Sequence, residues 1–326
     1  MIRFPTTIEQ ALTAPGVVRA GGTDLSERRR HGITTGPLVD LRDLPGLDAI
    51  TPTEDGGLKI GAKVTVAALA ADPSVALGWP GLAAAAGGLA TPQIRNRATV
   101  GGNILQDVRC WYYRNPDFQC LKSGGSGCLA RMGDHLYHSV IDQGPCIAPH
   151  PSTLAMALLA FDAFAIVDDA EGTTTIPLID LLGDGSDATT THALPDGALL
   201  TGIVLAPPTE GDRSAYVRAI ARQRAEWPLV EVVARLSVVD GKIADASVSV
   251  GGVANTPLLL DAVAAILIGR APGAETFARA ADAAARGVTP LPMTGYKVAL
   301  LSGSVLEALE RAEQAEPASA LKETVE

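Results

Sequence analysis

All four cysteines of this 326-residue chain, Cys110, Cys120, Cys128 and Cys146, fall in one short stretch. Around them, over residues 106–149, the hydrophobic periodicity that marks helices and strands elsewhere disappears, while glycines and aromatics accumulate. Such a segment has too few periodic apolar positions to build its own core, so the flanking sequence must carry it as an inserted loop. A disulfide framework belongs to small secreted scaffolds. In a long chain whose first residues, Met1 to Thr6, show no secretory apolar run, thiolates acting as metal ligands are the better expectation.

The intervals are nine, seven and seventeen residues. Paired C-x-x-C knuckles, the usual mark of structural zinc, are absent. Four widely spaced thiolates on an irregular loop suit a [4Fe–4S] cube, whose corners stand further apart than the ligands of one zinc ion. Spacing alone leaves zinc, disulfides and free buried thiols open. The glycine-rich turn before Cys128 (Gly124, Gly125, Ser126, Gly127) is expected to bend backbone amides toward cluster sulfurs, and Trp111, Tyr112, Tyr113 and Phe118 to exclude water. His135, His138 and His150 lie in or beside the insert and are read as ordinary satisfied residues rather than ligands.

The flanks supply the scaffold, and at 47% hydrophobic content they are long enough for two or three domains. Residues 17–20, 37–41 and 58–62 read as strands, and 65–90 as Ala-rich helix punctuated by Pro73 and Pro80. Beyond the insert, 153–162 reads as helix, 163–167 as strand and 183–192 as a polar linker, with a boundary at Pro207-Pro208. Strands over 234–239 and 244–250 flank Asp240-Gly241, a hairpin signal, and helices over about 260–286 and 298–314 follow before a frayed polar tail from Ala315. The net charge of −10 argues against nucleic acid, which needs a basic surface. No run of about 20 apolar residues predicts a membrane span.

Two glycine loops are candidate anion sites. In the first, Ala20, Gly21, Gly22, Thr23, Asp24 and Leu25 join a strand to a helix, an arrangement that brings backbone N–H groups close to a phosphate. In the second, Gly101 and Gly102 sit between Thr99 and Asn103, which are read as hydrogen-bond donors. Together two such loops can hold both phosphates of a dinucleotide, although each Gly-Gly pair alone also reads as a tight turn. Asp24 is assigned to capping the helix, and Arg19, Arg95 and Arg97 to surface or supporting roles.

Read together, AGGTDL at 20–25, QIRNRATVGGNI at 93–104 and GGVA at 251–254 resemble the medium, FAD-binding subunits of the xanthine oxidase family of molybdenum hydroxylases. The resemblance covers nearly the whole chain. It implies an α+β fold: a two-part FAD-binding domain of the vanillyl-alcohol oxidase/p-cresol methylhydroxylase type over 1–208, with the 106–149 insert, then a C-terminal domain like that of CO dehydrogenase flavoproteins over 209–326. The cysteine insert, with QDVRCWYY, SGGSGC and CIAPHPS, resembles the FAD subunit of periplasmic aldehyde oxidoreductase most closely and the β subunit of 4-hydroxybenzoyl-CoA reductase next.

That resemblance implies FAD contacts from Ala20, Gly21, Gly22, Thr23, Asp24, Leu25, Thr99, Gly101, Gly102 and Asn103, and a [4Fe–4S] cluster on Cys110, Cys120, Cys128 and Cys146. Thr153 stands where the family often has an Asp that binds the flavin side chain, and Tyr216 is followed by Val217 rather than a basic residue, with Arg218 and Arg222 nearby. The implied partners are a molybdenum cofactor-binding large subunit, a [2Fe–2S] small subunit and an external electron acceptor. No catalytic acid or base is expected on this chain. The implied location is cytoplasmic, or periplasmic by export with a signal-bearing partner. Rival readings are a zinc-binding scaffold without redox role and a stand-alone flavin oxidase.

Overall fold

A computed structural model describes residues 1–222 and 225–318. Three sheets organise them. Strands β1 (Ile2–Arg3), β2 (Val17–Arg19) and β3 (Leu38–Asp40) form a small parallel sheet in the order β1-β3-β2. Parallel neighbours need crossovers, and the helices Ile8–Thr13 and Leu25–Arg30 supply them.

The second sheet is antiparallel, ordered β4-β5-β8-β6-β7 from β4 (Ile50–Pro52), β5 (Leu58–Gly61), β6 (Phe164–Asp169), β7 (Gly172–Pro177) and β8 (Leu199–Leu205). Its apolar face packs on the Ala-rich helices. The 65–90 stretch breaks into Val66–Ala71, Pro73–Gly78 and Pro80–Gly88, the last two opening on proline at a first-turn position where its missing N–H costs nothing. Helix Thr153–Leu159, every residue of it buried, completes that core.

The last third has its own apolar core. Strands β9 (Asp212–Ala219), β10 (Val230–Val239), β11 (Lys242–Gly251) and β12 (Leu258–Leu259) form an antiparallel sheet ordered β12-β11-β10-β9. The β10–β11 hairpin turns at Asp240 and Gly241 with φ of 51° and 71°, the paired positive values a two-residue type I′ turn requires. The first of the two expected helices is split into Asp261–Leu267 and Ala274–Ala284, because the intervening Gly269 and Gly273 take positive φ. The second is Tyr296–Gln314. Ala318 is buried, so the tail is tied down at least that far, and residues 319–326 lie outside the described residues. Among the described residues, no helix is long and apolar enough to cross a membrane.

Candidate functional site: two glycine loops and a cysteine insert

The glycine loops pack directly against each other. Gly21 lies so close to the second loop that a Cβ there would stand 1.9 Å from the Arg97 carbonyl oxygen, and Gly22 takes a φ of 72°. Thr99 caps helix Val100–Ile104, its hydroxyl accepting from Gly102 N–H at 3.2 Å. The Gly101 N–H donates to Ala62 O at 2.9 Å, which fixes this loop to the end of β5.

Between the loops run two adjoining cavities of about 240 and 270 Å³. The first is lined by Ala20, Gly21, Gly22, Thr23, Asp24, Leu25, Thr99, Gly101 and Gly102. Thr23, Asp24 and Gly102 also line the second, with Asn103 and Thr153. The structure thus brings all the cofactor residues expected from sequence to one cleft, with Gln106 bordering both halves.

Their hydrogen bonds differ from expectation. Rather than serving only as a donor, Asn103 accepts through Oδ1 from Ser152 Oγ at 2.8 Å and Leu154 N–H at 3.3 Å, holding the start of helix Thr153–Leu159 beside the loop. The Thr153 hydroxyl donates to Glu231 Oε1 at 3.2 Å, and Tyr216 Oη donates to Oε2 at 2.9 Å. Glu231 is 1% exposed, and burial raises its pKa despite those two donors and the nearby charge of Arg218. The sequence did carry a signal for this residue, a single charge among Val230, Val232 and Val233.

Asp24 does not cap its helix. It has helical backbone angles and no side-chain cap bond. Its carboxylate instead meets three guanidinium groups: Arg28 Nε at 3.2 Å, Arg109 Nη2 at 3.0 Å and Arg114 Nη2 at 2.7 Å. Charge-assisted bonds of this kind outcompete a backbone N–H. Glu27 accepts from Arg109 Nη1 at 2.7 Å, and Asp107 accepts from Arg28 Nη1 at 3.1 Å. Burial pushes the Asp107 carboxyl up, but bonds from Tyr113 and Thr191, with the charges of Lys122 and Arg28, bring it below its ordinary value. Arg109 and Arg114 belong to the cysteine insert, so this charge cluster fastens the insert to the first glycine loop. Arg19 pairs with Asp40 at 3.2 Å and Arg95 binds the carbonyls of Leu89 and Ala90, while Arg97 is exposed; all three have supporting or surface positions.

The four cysteines are free thiols and line a single cavity together with Tyr112, Tyr113 and mostly apolar neighbours. The neighbouring Cys146 thiol lowers the pKa of Cys128, and Cys128 together with burial raises that of Cys146. Burial pushes Cys110 up to about 11. No group of three or more His, Cys, Asp or Glu side chains among the described residues is set to hold a metal ion as it stands.

Three details of the insert depart from the sequence reading. The Gly124 and Gly125 amides bond to the carbonyls of Leu121 and Cys120, closing a tight turn rather than addressing sulfur. Trp111 and Phe118 are 36% and 42% exposed, and only the two tyrosines wall the cavity. His138 is not an ordinary satisfied residue, because its Nε2 lies 3.2 Å from Cys110 Sγ and burial lowers its pKa to about 4. His135, by contrast, is satisfied by backbone: Nδ1 faces the carbonyls of Ala130 and Gly133, and Nε2 accepts from Met293 N–H.

Known proteins resemble this chain in sequence and fold. A family model described as the FAD binding domain in molybdopterin dehydrogenase matches residues 5–208, and one described as the CO dehydrogenase flavoprotein C-terminal domain matches 215–312. The chain belongs to the FAD-binding medium subunits of the xanthine oxidase family. This FAD-binding subunit is 37% identical over 274 residues to the aldehyde oxidoreductase FAD-binding subunit PaoB of Escherichia coli, covering 81% of this chain and 84% of that one. It is 25% identical over 256 residues to the 6-hydroxypseudooxynicotine dehydrogenase complex subunit alpha of Paenarthrobacter nicotinovorans, covering 78% and 71% of the two chains. In fold it matches a chain of the carbon monoxide dehydrogenase from Hydrogenophaga pseudoflava with a TM-score of 0.76 at 21% identity, over 96% of each chain. Membership makes it an oxidoreductase subunit of molybdenum hydroxylase type.

Proposed function

We propose that this subunit relays electrons in a molybdenum-dependent aldehyde oxidoreductase, through FAD in the glycine-loop cleft and a [4Fe–4S] cluster on Cys110, Cys120, Cys128 and Cys146. The observation that carries the cluster assignment is the convergence of four free thiols, separated by up to seventeen residues in sequence, on one cavity. The donor set fits: no carboxylate lines that cavity, and thiolate is the ligand such clusters take. The cleft likewise fits a dinucleotide, since Gly21, Gly22, Gly101 and Gly102 line it without side chains and Gly21 packs on the Arg97 carbonyl with no room for one. Residues 20–25, Thr99, Gly101, Gly102, Asn103 and Thr153 would hold the FAD.

Bound FAD supplies two-electron redox chemistry; the chain positions it and sets its surroundings. Thr153 orients toward Glu231, which keeps its hydroxyl in place at the second half of the cleft. The charge cluster at Asp24 ties the cysteine insert to the cofactor loop and so fixes one relay site relative to the other. Likeness to PaoB supports an aldehyde as the substrate of the complex, with a molybdenum-bearing large subunit and a [2Fe–2S] small subunit as partners. We place the boundary between the two domains at 208/209.

The test is anaerobic addition of an aromatic aldehyde to the purified complex. The reading predicts bleaching of the flavin together with an electron paramagnetic resonance signal that is missing from a Cys120→Ser complex. An unbleached flavin refutes the relay.

A further inference from the structure

A third recess, about 330 Å³, opens beside the insert and touches both sites already described. It shares Arg109, Glu226, Trp227 and Pro228 with the second half of the cleft, and Cys110 with the cysteine cavity. Its walls are aromatic. Trp111 stands edge-on to Tyr137 at 6.1 Å and 87°, and to His138 at 5.3 Å and 82°. The Arg109 guanidinium stacks 4.7 Å from the Trp227 ring centroid. Trp111, Tyr137 and Trp227 are 36%, 45% and 50% exposed, an unusual outlay of large aromatic surface in one place.

Two polar atoms of the lining residues have no hydrogen-bond partner although they are buried: Arg109 Nε and His138 Nδ1. Both atoms therefore have hydrogen-bonding capacity to spare for a molecule held between the aromatic walls. Arg109 Nε–H can only donate, which calls for an oxygen acceptor. The His138 ring has its other nitrogen against Cys110 Sγ, which leaves Nδ1 for a second polar atom. Aromatic walls with a donor at Arg109 Nε and a ring nitrogen at His138 suit a flat ring bearing polar oxygens. A dinucleotide fits less well, because the recess lacks the glycine-lined backbone of the cleft.

We propose that this recess binds a planar molecule of the quinone class, which serves as the electron acceptor of the complex. The site rests on the relay reading for its role but not for its existence. The overall reaction balances: oxidation of an aldehyde with water to a carboxylic acid releases two electrons and two protons, and these convert a quinone to its hydroquinone. The acceptor would sit where it borders the flavin cleft and the cysteine cavity at once.

The experiment is equilibrium dialysis of menadione against the oxidised, fully assembled complex, with FAD and iron quantified in each sample. Wild type is expected to bind menadione saturably, and Trp111→Ala or Tyr137→Ala to weaken binding about tenfold or more while retaining FAD. Both rings are surface-exposed, so two independent variants guard against a folding defect in one. No saturable binding by wild type, or unchanged affinity in both variants, overturns the site. Iron content answers the separate question: wild type without iron defeats the cluster, whereas menadione binding that still depends on Trp111 or Tyr137 leaves the recess standing.

Discussion

The cleft and the cysteine insert lie side by side yet are built by different physics. The glycine loops are ends of regular elements, bonded backbone to backbone through Val66 N to Ala98 O, Val100 N to Val64 O and Gly101 N to Ala62 O, each at 2.9 Å. Behind them, Val64, Val66, Val100 and Ile104 are at most 2% exposed in the large N-terminal core. The insert has a small apolar cluster of Val108, Cys146, Ala148 and Ala188. It is tied to its surroundings by Arg114 to Asp24, Lys122 to the Thr190 carbonyl and Asn255 Nδ2 to the Cys146 carbonyl at 2.6 Å, with Val140 reaching into the core of the last third. A packed cleft keeps its shape without a ligand. An insert pinned by charges and thiols depends on each pin.

The sharpest way to break that contrast is Arg114→Met. Arg114 is 8% exposed and bonds Asp24 and the carbonyls of Val108 and Asp107. Asp24 keeps Arg28 and Arg109, so the loss is that of the orphaned buried acceptors, about 1–3 kcal/mol. Urea unfolding should show that loss, and limited proteolysis should cut within 106–149 first while the cleft resists. A cleft that opened equally fast would erase the distinction.

Gly21→Ala attacks the other side. Its Cβ would overlap the Arg97 carbonyl, a backbone neighbour with little room to move, so the loops must part at a cost of about 1–3 kcal/mol. The expected outcome is FAD bound at least tenfold more weakly with iron content unchanged, measured by flavin fluorescence on titration.

Glu231→Gln sharpens the account of the cleft wall. Because burial raises the folded-state pKa of Glu231, its stabilising, protonated form is fully present below the unfolded value of 4.5 and is lost as pH rises through the folded pKa. The Gln variant cannot ionise, so wild type should lose more stability than the variant between about pH 4 and about pH 8. Thermal unfolding at the two pH values decides it; a constant difference would mean that Glu231 does not titrate differently on folding.

The same contrast explains what was legible in the sequence. The strands at 17–20, 37–41 and 58–62, the hairpin at Asp240-Gly241 and the two glycine loops follow from local pattern, and each appears within a residue or two of its expected bounds. β7 escaped notice because Gly172–Pro177 is an almost wholly exposed edge strand with no apolar alternation. Asp24 was misread since its partners Arg109 and Arg114 arrive from about 90 residues away, which no local rule reveals. The unpaired nitrogens of Arg109 and His138 are likewise products of tertiary packing.

The central claim is that one chain holds two redox groups, and metal analysis of the anaerobically purified complex tests it most directly. Wild type should carry one FAD with about four iron and four sulfide on this subunit, and Cys120→Ser should lose the iron and keep the FAD. Zinc in place of iron, or an iron content on this subunit that Cys120→Ser leaves untouched, would contradict it.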